Sequence, residues 1–111
     1  MNKITIIFIG LLTSLLVSIN VNAADVTAKT NIEGVVIKKF KCMSNGYSYR
    51  GNIVNRTDQT IRNVLIKSYD SDGDPIGTCS TQMYLGPESG DKFSASGCNC
   101  GDSIFYKINV K

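Results

Sequence analysis

Ser103-Ile104-Phe105-Tyr106-Lys107-Ile108-Asn109-Val110 places Ile104, Tyr106, Ile108 and Val110 at every second position, with Phe105, Lys107 and Asn109 between them. Successive side chains of a strand point to opposite faces of a sheet, so this spacing predicts a strand with one apolar face on a core and one mixed face. No amphipathic helical period of useful length occurs in residues 24–111, and no internal repeat or low-complexity tract. The domain is therefore expected to be all-β.

The same alternation recurs upstream. Residues 47–55 set Tyr47, Tyr49, Gly51 and Ile53 against Ser48, Arg50, Asn52 and Val54. Residues 61–69 contain Val64-Leu65-Ile66, the most continuous apolar run after the N-terminal segment and the expected central strand. Further strands are expected at residues 32–42, 76–85 and 92–96. Between them lies turn chemistry: Asn45-Gly46, where both residues tolerate positive φ, and Asp70-Ser71-Asp72-Gly73-Asp74-Pro75, where the proline removes a ladder donor. Six to seven short strands at this spacing predict a small two-sheet, immunoglobulin-like sandwich over residues 32–111. Residues 24–31 are expected to be a flexible lead-in.

The first 23 residues have another character. Lys3 precedes the apolar run from Ile4 to Val17, and Val21-Asn22-Ala23 ends it with the modest side chains a signal peptidase requires. Cleavage is expected after Ala23, giving a periplasmic or secreted product without a stable membrane anchor. Removing Lys3 lowers the formal charge of the chain from +3 to +2, near neutrality. Lys38, Lys39 and Lys41 cluster modestly, whereas Arg50, Arg56, Arg62, Lys67, Lys92 and Lys107 are scattered, so a nucleic-acid partner is not expected.

All four cysteines, Cys42, Cys79, Cys98 and Cys100, follow the signal. An even count in a small exported domain predicts two disulfides, because the core is limited and the compartment oxidising. If residues 75–85 and 91–98 formed a hairpin about Gly86–Gly90, Cys79 would face Cys98 and Cys42 would take Cys100. Exchanging Cys98 and Cys100 remains compatible with the spacing, whereas a Cys98 to Cys100 bridge would close a strained ring.

Gly51-Asn52-Ile53-Val54-Asn55, Val64-Leu65-Ile66-Lys67-Ser68-Tyr69-Asp70, Asp72-Gly73, Ile76-Gly77, Leu85-Gly86-Pro87 and Phe93 resemble the FxLYD-type family of small prokaryotic immunoglobulin-like β-sandwich domains, over residues 34–110. Ile66 and Ser68 stand where that family has Phe and Leu, so the Tyr69-Asp70 half of the motif is retained. The resemblance implies two packed sheets and a Tyr-Asp corner. The family has no defined catalytic residues, and none are implied here.

Three constellations could carry chemistry. Asp70, Asp72 and Asp74 alternate like calcium ligands, but an EF-hand loop needs glycine sixth and glutamate twelfth, whereas Gly73 is fourth and Thr81 twelfth. A solvated turn is the simpler reading, with a weak calcium site as its alternative. Cys98-Asn99-Cys100 could act as a thiol redox pair or a soft-metal ligand set. Hydrolytic catalysis lacks its commonest general base, since the chain has no histidine, and no serine sits in a nucleophile elbow. No cofactor is expected.

What remains is a non-enzymatic interaction or accessory module, of the inhibitor, immunity or envelope-factor kind, whose partner is another envelope or secreted protein. Tyr47, Tyr49, Tyr84 and Phe105 are its candidate recognition patch, because aromatics on a rigid sandwich make effective anchors. The alternative function is a periplasmic redox or soft-metal protein centred on Cys98 and Cys100.

Overall fold

The computed structural model describes residues 26–111 together with the backbone pairing of Val17–Ser18. The expected signal peptide and cleavage site otherwise lie outside the described residues. The strands are β1 (Val17–Ser18), β2 (Val26–Lys29), β3 (Val35–Cys42), β4 (Ser48–Asn55), β5 (Ile61–Tyr69), β6 (Pro75–Leu85), β7 (Ser89–Ser96) and β8 (Phe105–Val110), with one 3₁₀ turn, Cys100–Asp102, before β8.

Two antiparallel sheets face each other. One has the order β2-β3-β4-β7; the other has β8-β5-β6, with β5 central and β1 adding two residues at the outer edge of β8. The layers and strand number are those of an immunoglobulin-like sandwich. The order is different from the constant-domain arrangement, in which the second strand leaves its neighbour in sequence to pair with the fifth. Here β3 and β4 remain a hairpin within one sheet.

The apolar alternation explains the core. Tyr106, Ile108 and Val110 of β8, Val64 and Ile66 of β5, and Tyr49 and Ile53 of β4 are all buried between the sheets. Burying a large side chain contributes about 1.5–3 kcal/mol, so these inward positions hold the layers together. Ile104 departs from the pattern: it is 43% exposed, because the strand begins only at Phe105, and its amide donates to the Tyr69 carbonyl at 2.9 Å.

Two other expectations need correction. Residues 24–31 are not simply a lead-in, since Val26–Lys29 pairs with β3 and Ala28 and Thr30 are buried. The Thr30 hydroxyl donates to the Val35 carbonyl at 2.8 Å, which fixes the turn between the two strands. Nor do residues 75–85 and 91–98 form a hairpin: β6 pairs with β5 and β7 with β4, so the connection through Gly86 crosses from one sheet to the other.

β3 contains the irregularity that matters most for the surface. Lys38 pairs with Asn52 and Lys41 with Arg50, leaving Lys39 and Phe40 opposite Gly51 alone. This two-against-one bulge shifts the phase of the strand, so that Val35 and Ile37 point inward before it and Phe40 and Cys42 after it. Phe40 then stacks on Tyr49 with ring centroids 4.5 Å apart and meets Tyr106 across the sheets at 5.1 Å. Lys39 adopts φ 53, a left-handed conformation that costs a residue with a Cβ about 1–2 kcal/mol. Opposite, a Cβ on Gly51 would lie 2.8 Å from the Lys38 carbonyl oxygen, so the bulge requires a glycine there.

The outer edge of β8 is capped at its end by a side chain. Asn31 Oδ1 accepts from the Val110 amide at 2.6 Å, and its Nδ2 donates to the Val110 carbonyl at 3.2 Å. An amide thus takes the place of a neighbouring strand and blunts an exposed edge.

Candidate functional site

Cys98 and Cys100 lie in the connection between β7 and β8. Cys98 bonds to Cys79 of β6, and Cys100 bonds to Cys42 at the end of β3. One short loop is therefore fastened to both sheets. In an extended chain, residues two apart point the same way; here Asn99 between them has φ 53 and Gly97 before them φ 96, which turns the two sulfurs toward different layers. Asparagine is among the few non-glycine residues that enter this region readily. No cysteine is free. Two disulfides in so small a domain belong to an oxidising, extracytoplasmic environment.

The turn between β3 and β4 docks on this loop. The Tyr47 carbonyl accepts from the amides of Gly97 and Cys98 at 2.9 and 2.8 Å, and the Gly46 carbonyl accepts from Gly101 at 2.7 Å. Gly46 and Gly101 also pack backbone to backbone, since a Cβ on Gly101 would lie 3.0 Å from the Gly46 Cα. The result is a rigid end of the sandwich that carries exposed Met43, Tyr47 and Ile104, the last two 60% and 43% accessible.

The four residues of the expected aromatic patch are not brought together. Tyr47 lies at the stapled end. Tyr84 is exposed at the opposite end, beneath the Arg62 guanidinium, whose Cζ is 5.1 Å from the ring centroid. Tyr49 is wholly buried in the Phe40 and Tyr106 cluster, because it belongs to the inward face of β4, and Phe105 is half-buried. Met43 and Ile104, which the sequence reading did not select, are exposed at the same end as Tyr47, Met43 just after β3 and Ile104 just before β8.

Among the described residues, burial acts most clearly on two acids, Tyr49 and Tyr106. Burial pushes the Tyr49 phenol above its ordinary value, partly offset by hydrogen bonds from Ser68 and Ser103; the Tyr49 hydroxyl is 3.2 Å from Ser68 Oγ. Burial also raises Tyr106 strongly, with Tyr49 adding to the effect. Both rings are enclosed by the core, where they contribute packing.

Asp70, Asp72 and Asp74 do converge, with carboxylate oxygens within 4.8 Å of one another. Asp70 Oδ1 accepts from the amides of Asp72 and Asp74 at 2.9 and 3.0 Å, the hydrogen-bonding pattern of an aspartate closing a turn. These contacts account for Asp70 without an ion.

Concavities among the described residues mark the outer faces of the sheets. One, of about 410 Å³, is lined by Asn31, Asn63, Leu65, Asn109, Val110 and Lys111. Asn63 Oδ1 is buried there without a hydrogen-bond partner among the described residues. Another, of about 420 Å³, lies over β3, β4 and β7 and is lined by Lys39, Arg50, Lys92, Asn52 and Ser94, with Met43, Gly51 and Phe93 at its base and rim. Arg50 and Lys92 look scattered in the sequence; the register, which sets Arg50 beside Ser94 and Asn52 beside Lys92, gathers them. The sequence signal for Lys39 is the adjacent pair Lys38-Lys39 between inward Ile37 and Phe40, which breaks the period of two.

Fold and site together define a disulfide-stapled β-sandwich with a rigid, partly apolar end. No protein-family model, curated protein or solved structure matches the chain.

Proposed function

We propose that this chain is a small exported, non-enzymatic protein-interaction module, working in the periplasm or beyond it as an inhibitor, immunity or envelope accessory factor. The observation that carries this reading is the convergence of both disulfides on the loop that supports Met43, Tyr47 and Ile104. A surface held rigid before binding loses little conformational freedom when a partner docks, and aromatic anchors supply most of the energy of such contacts. The FxLYD-type resemblance supports the same reading: Tyr69 ends β5 at this end of the molecule with Asp70 directly after it, and that family has no defined catalytic residues.

The partner is then another envelope or secreted protein. The test is a pull-down from the envelope fraction with the oxidised domain, alongside a Tyr47→Ser/Ile104→Ser variant. A reproducible partner retained by the parent protein and lost by the variant is expected. No reproducible partner, or equal capture by both proteins, contradicts the reading.

A further inference from the structure

The concavity over β3, β4 and β7 joins two independent observations. The first is electrostatic. Lys39, Arg50 and Lys92 line it, no acidic side chain does, and none of the three forms an ion pair with another described residue. The only nearby carboxylate on the same strand, Asp91, accepts from the Lys92 backbone amide at 2.7 Å and is not part of the lining. Three cations gathered on one concave face repel one another, an arrangement that an anion relieves.

The second observation is conformational. Lys39 enters the site from a β-bulge whose first residue has a left-handed backbone, the position where such bulges usually place glycine. Gly51 across the ladder gives up its side chain to admit the bulge. Strained positions of this kind cluster where a side chain must be aimed, and here the bulge sends Phe40 to the core and leaves Lys39 at the rim of the cavity.

We propose that this cavity is an anion site for a phosphate group. Arg50 offers a planar fork suited to two phosphate oxygens, Lys39 and Lys92 supply flanking point charges, and Asn52 and Ser94 add neutral donors. Three positive groups match the double charge of a phosphomonoester better than the single charge of a carboxylate. The volume of about 420 Å³ admits a phosphoryl group with part of the molecule that bears it. That molecule is a soluble phosphorylated compound or a phospholipid headgroup. The site does not depend on the protein-binding reading, and its test needs no protein partner.

The test titrates the oxidised protein, expressed from the full chain, with inorganic phosphate while backbone amide NMR signals are followed, using sodium chloride and acetate at equal ionic strength as controls. Saturable shifts centred on Arg50, Asn52 and Ser94 are expected with phosphate alone. Arg50→Gln/Lys92→Gln is expected to weaken binding by about tenfold or more, and charge-preserving Lys92→Arg, which leaves the Arg50 fork in place, to retain it within about threefold. Sedimentation with vesicles containing phosphatidic acid, whose headgroup is a phosphomonoester, but not with phosphatidylcholine vesicles, would assign the source to a lipid headgroup, and its absence beside saturable phosphate binding would assign it to a soluble compound. Shifts that fail to saturate, that appear equally with acetate, or that persist in a Gln double variant of unchanged spectral dispersion would overturn the proposal.

Discussion

Gly77 of β6 lies flat against Cys98: a Cβ on the glycine would collide with the Cys98 carbonyl oxygen and come within 3.1 Å of the Asn99 side chain. The loop that carries both half-cystines is thus packed on β6 before the sulfur chemistry is considered. Both partners at this contact are backbone, held by the sheet on one side and by a disulfide on the other, so neither can retreat. Gly77→Ala is expected to cost about 2–3 kcal/mol through overpacking. Gly86→Ala, with open space around it, should shift stability little. Urea unfolding midpoints of the two variants make the comparison.

Removal of each disulfide should rank by the length of chain it closes. Cys42–Cys100 spans 58 residues and Cys79–Cys98 spans 19. In the chain-entropy model these correspond to about 4 and about 3 kcal/mol. Double alanine variants of each pair, compared by urea unfolding, are expected to lose stability in that order.

The buried phenols give a pH dependence with a definite sign. Both Tyr49 and Tyr106 are raised above 10.0 in the folded protein, so at high pH the unfolded chain releases protons that the folded one retains. Their contribution is fully present below pH 10 and is lost as pH rises beyond it. Unfolding should become easier in that alkaline range, with phenolate absorbance from these two residues appearing together with loss of structure. Tyr49→Phe removes one of the groups and leaves the Ser68 hydroxyl without this partner. It is expected to cost about 1 kcal/mol at neutral pH and to reduce the alkaline slope.

Asn55 is wholly buried at the end of β4 and joins three segments. Its Nδ2 donates toward the carbonyls of Gln59, Gly86 and Leu85 at 2.7, 3.0 and 3.3 Å, and its Oδ1 accepts from the Thr57 amide and hydroxyl at 3.0 and 2.6 Å. Asn55→Asp keeps the shape but turns a second acceptor toward those carbonyls. It should therefore destabilise by about 3 kcal/mol or more, and by more than Asn55→Ala, as read from thermal unfolding at neutral pH.

The strands were legible wherever alternation was undisturbed. Residues 61–69 match β5 to the residue, and Tyr106, Ile108 and Val110 lie on the side their spacing indicates. β2 escaped because four residues that include Thr27 and Lys29 give too short a pattern, and its burial comes from β3 beside it. The pairing of Cys79 with Cys98 was reached through a hairpin the molecule does not have: both sulfurs are close because the loop after β7 folds back over β6, a tertiary fact with no local signature. The basic concavity was illegible for the same reason, since only strand register places Arg50 and Lys92 on one face.

Peptide mapping of the protein purified without reductant from an oxidising, extracytoplasmic compartment bears most directly on the role of the Cys98-Asn99-Cys100 loop as a structural clamp. The account predicts no free thiol, no bound copper or zinc, and two linked peptide pairs, Cys42 with Cys100 and Cys79 with Cys98. Free thiols at Cys98 and Cys100, or a metal held between them, would contradict it and support the redox or soft-metal alternative.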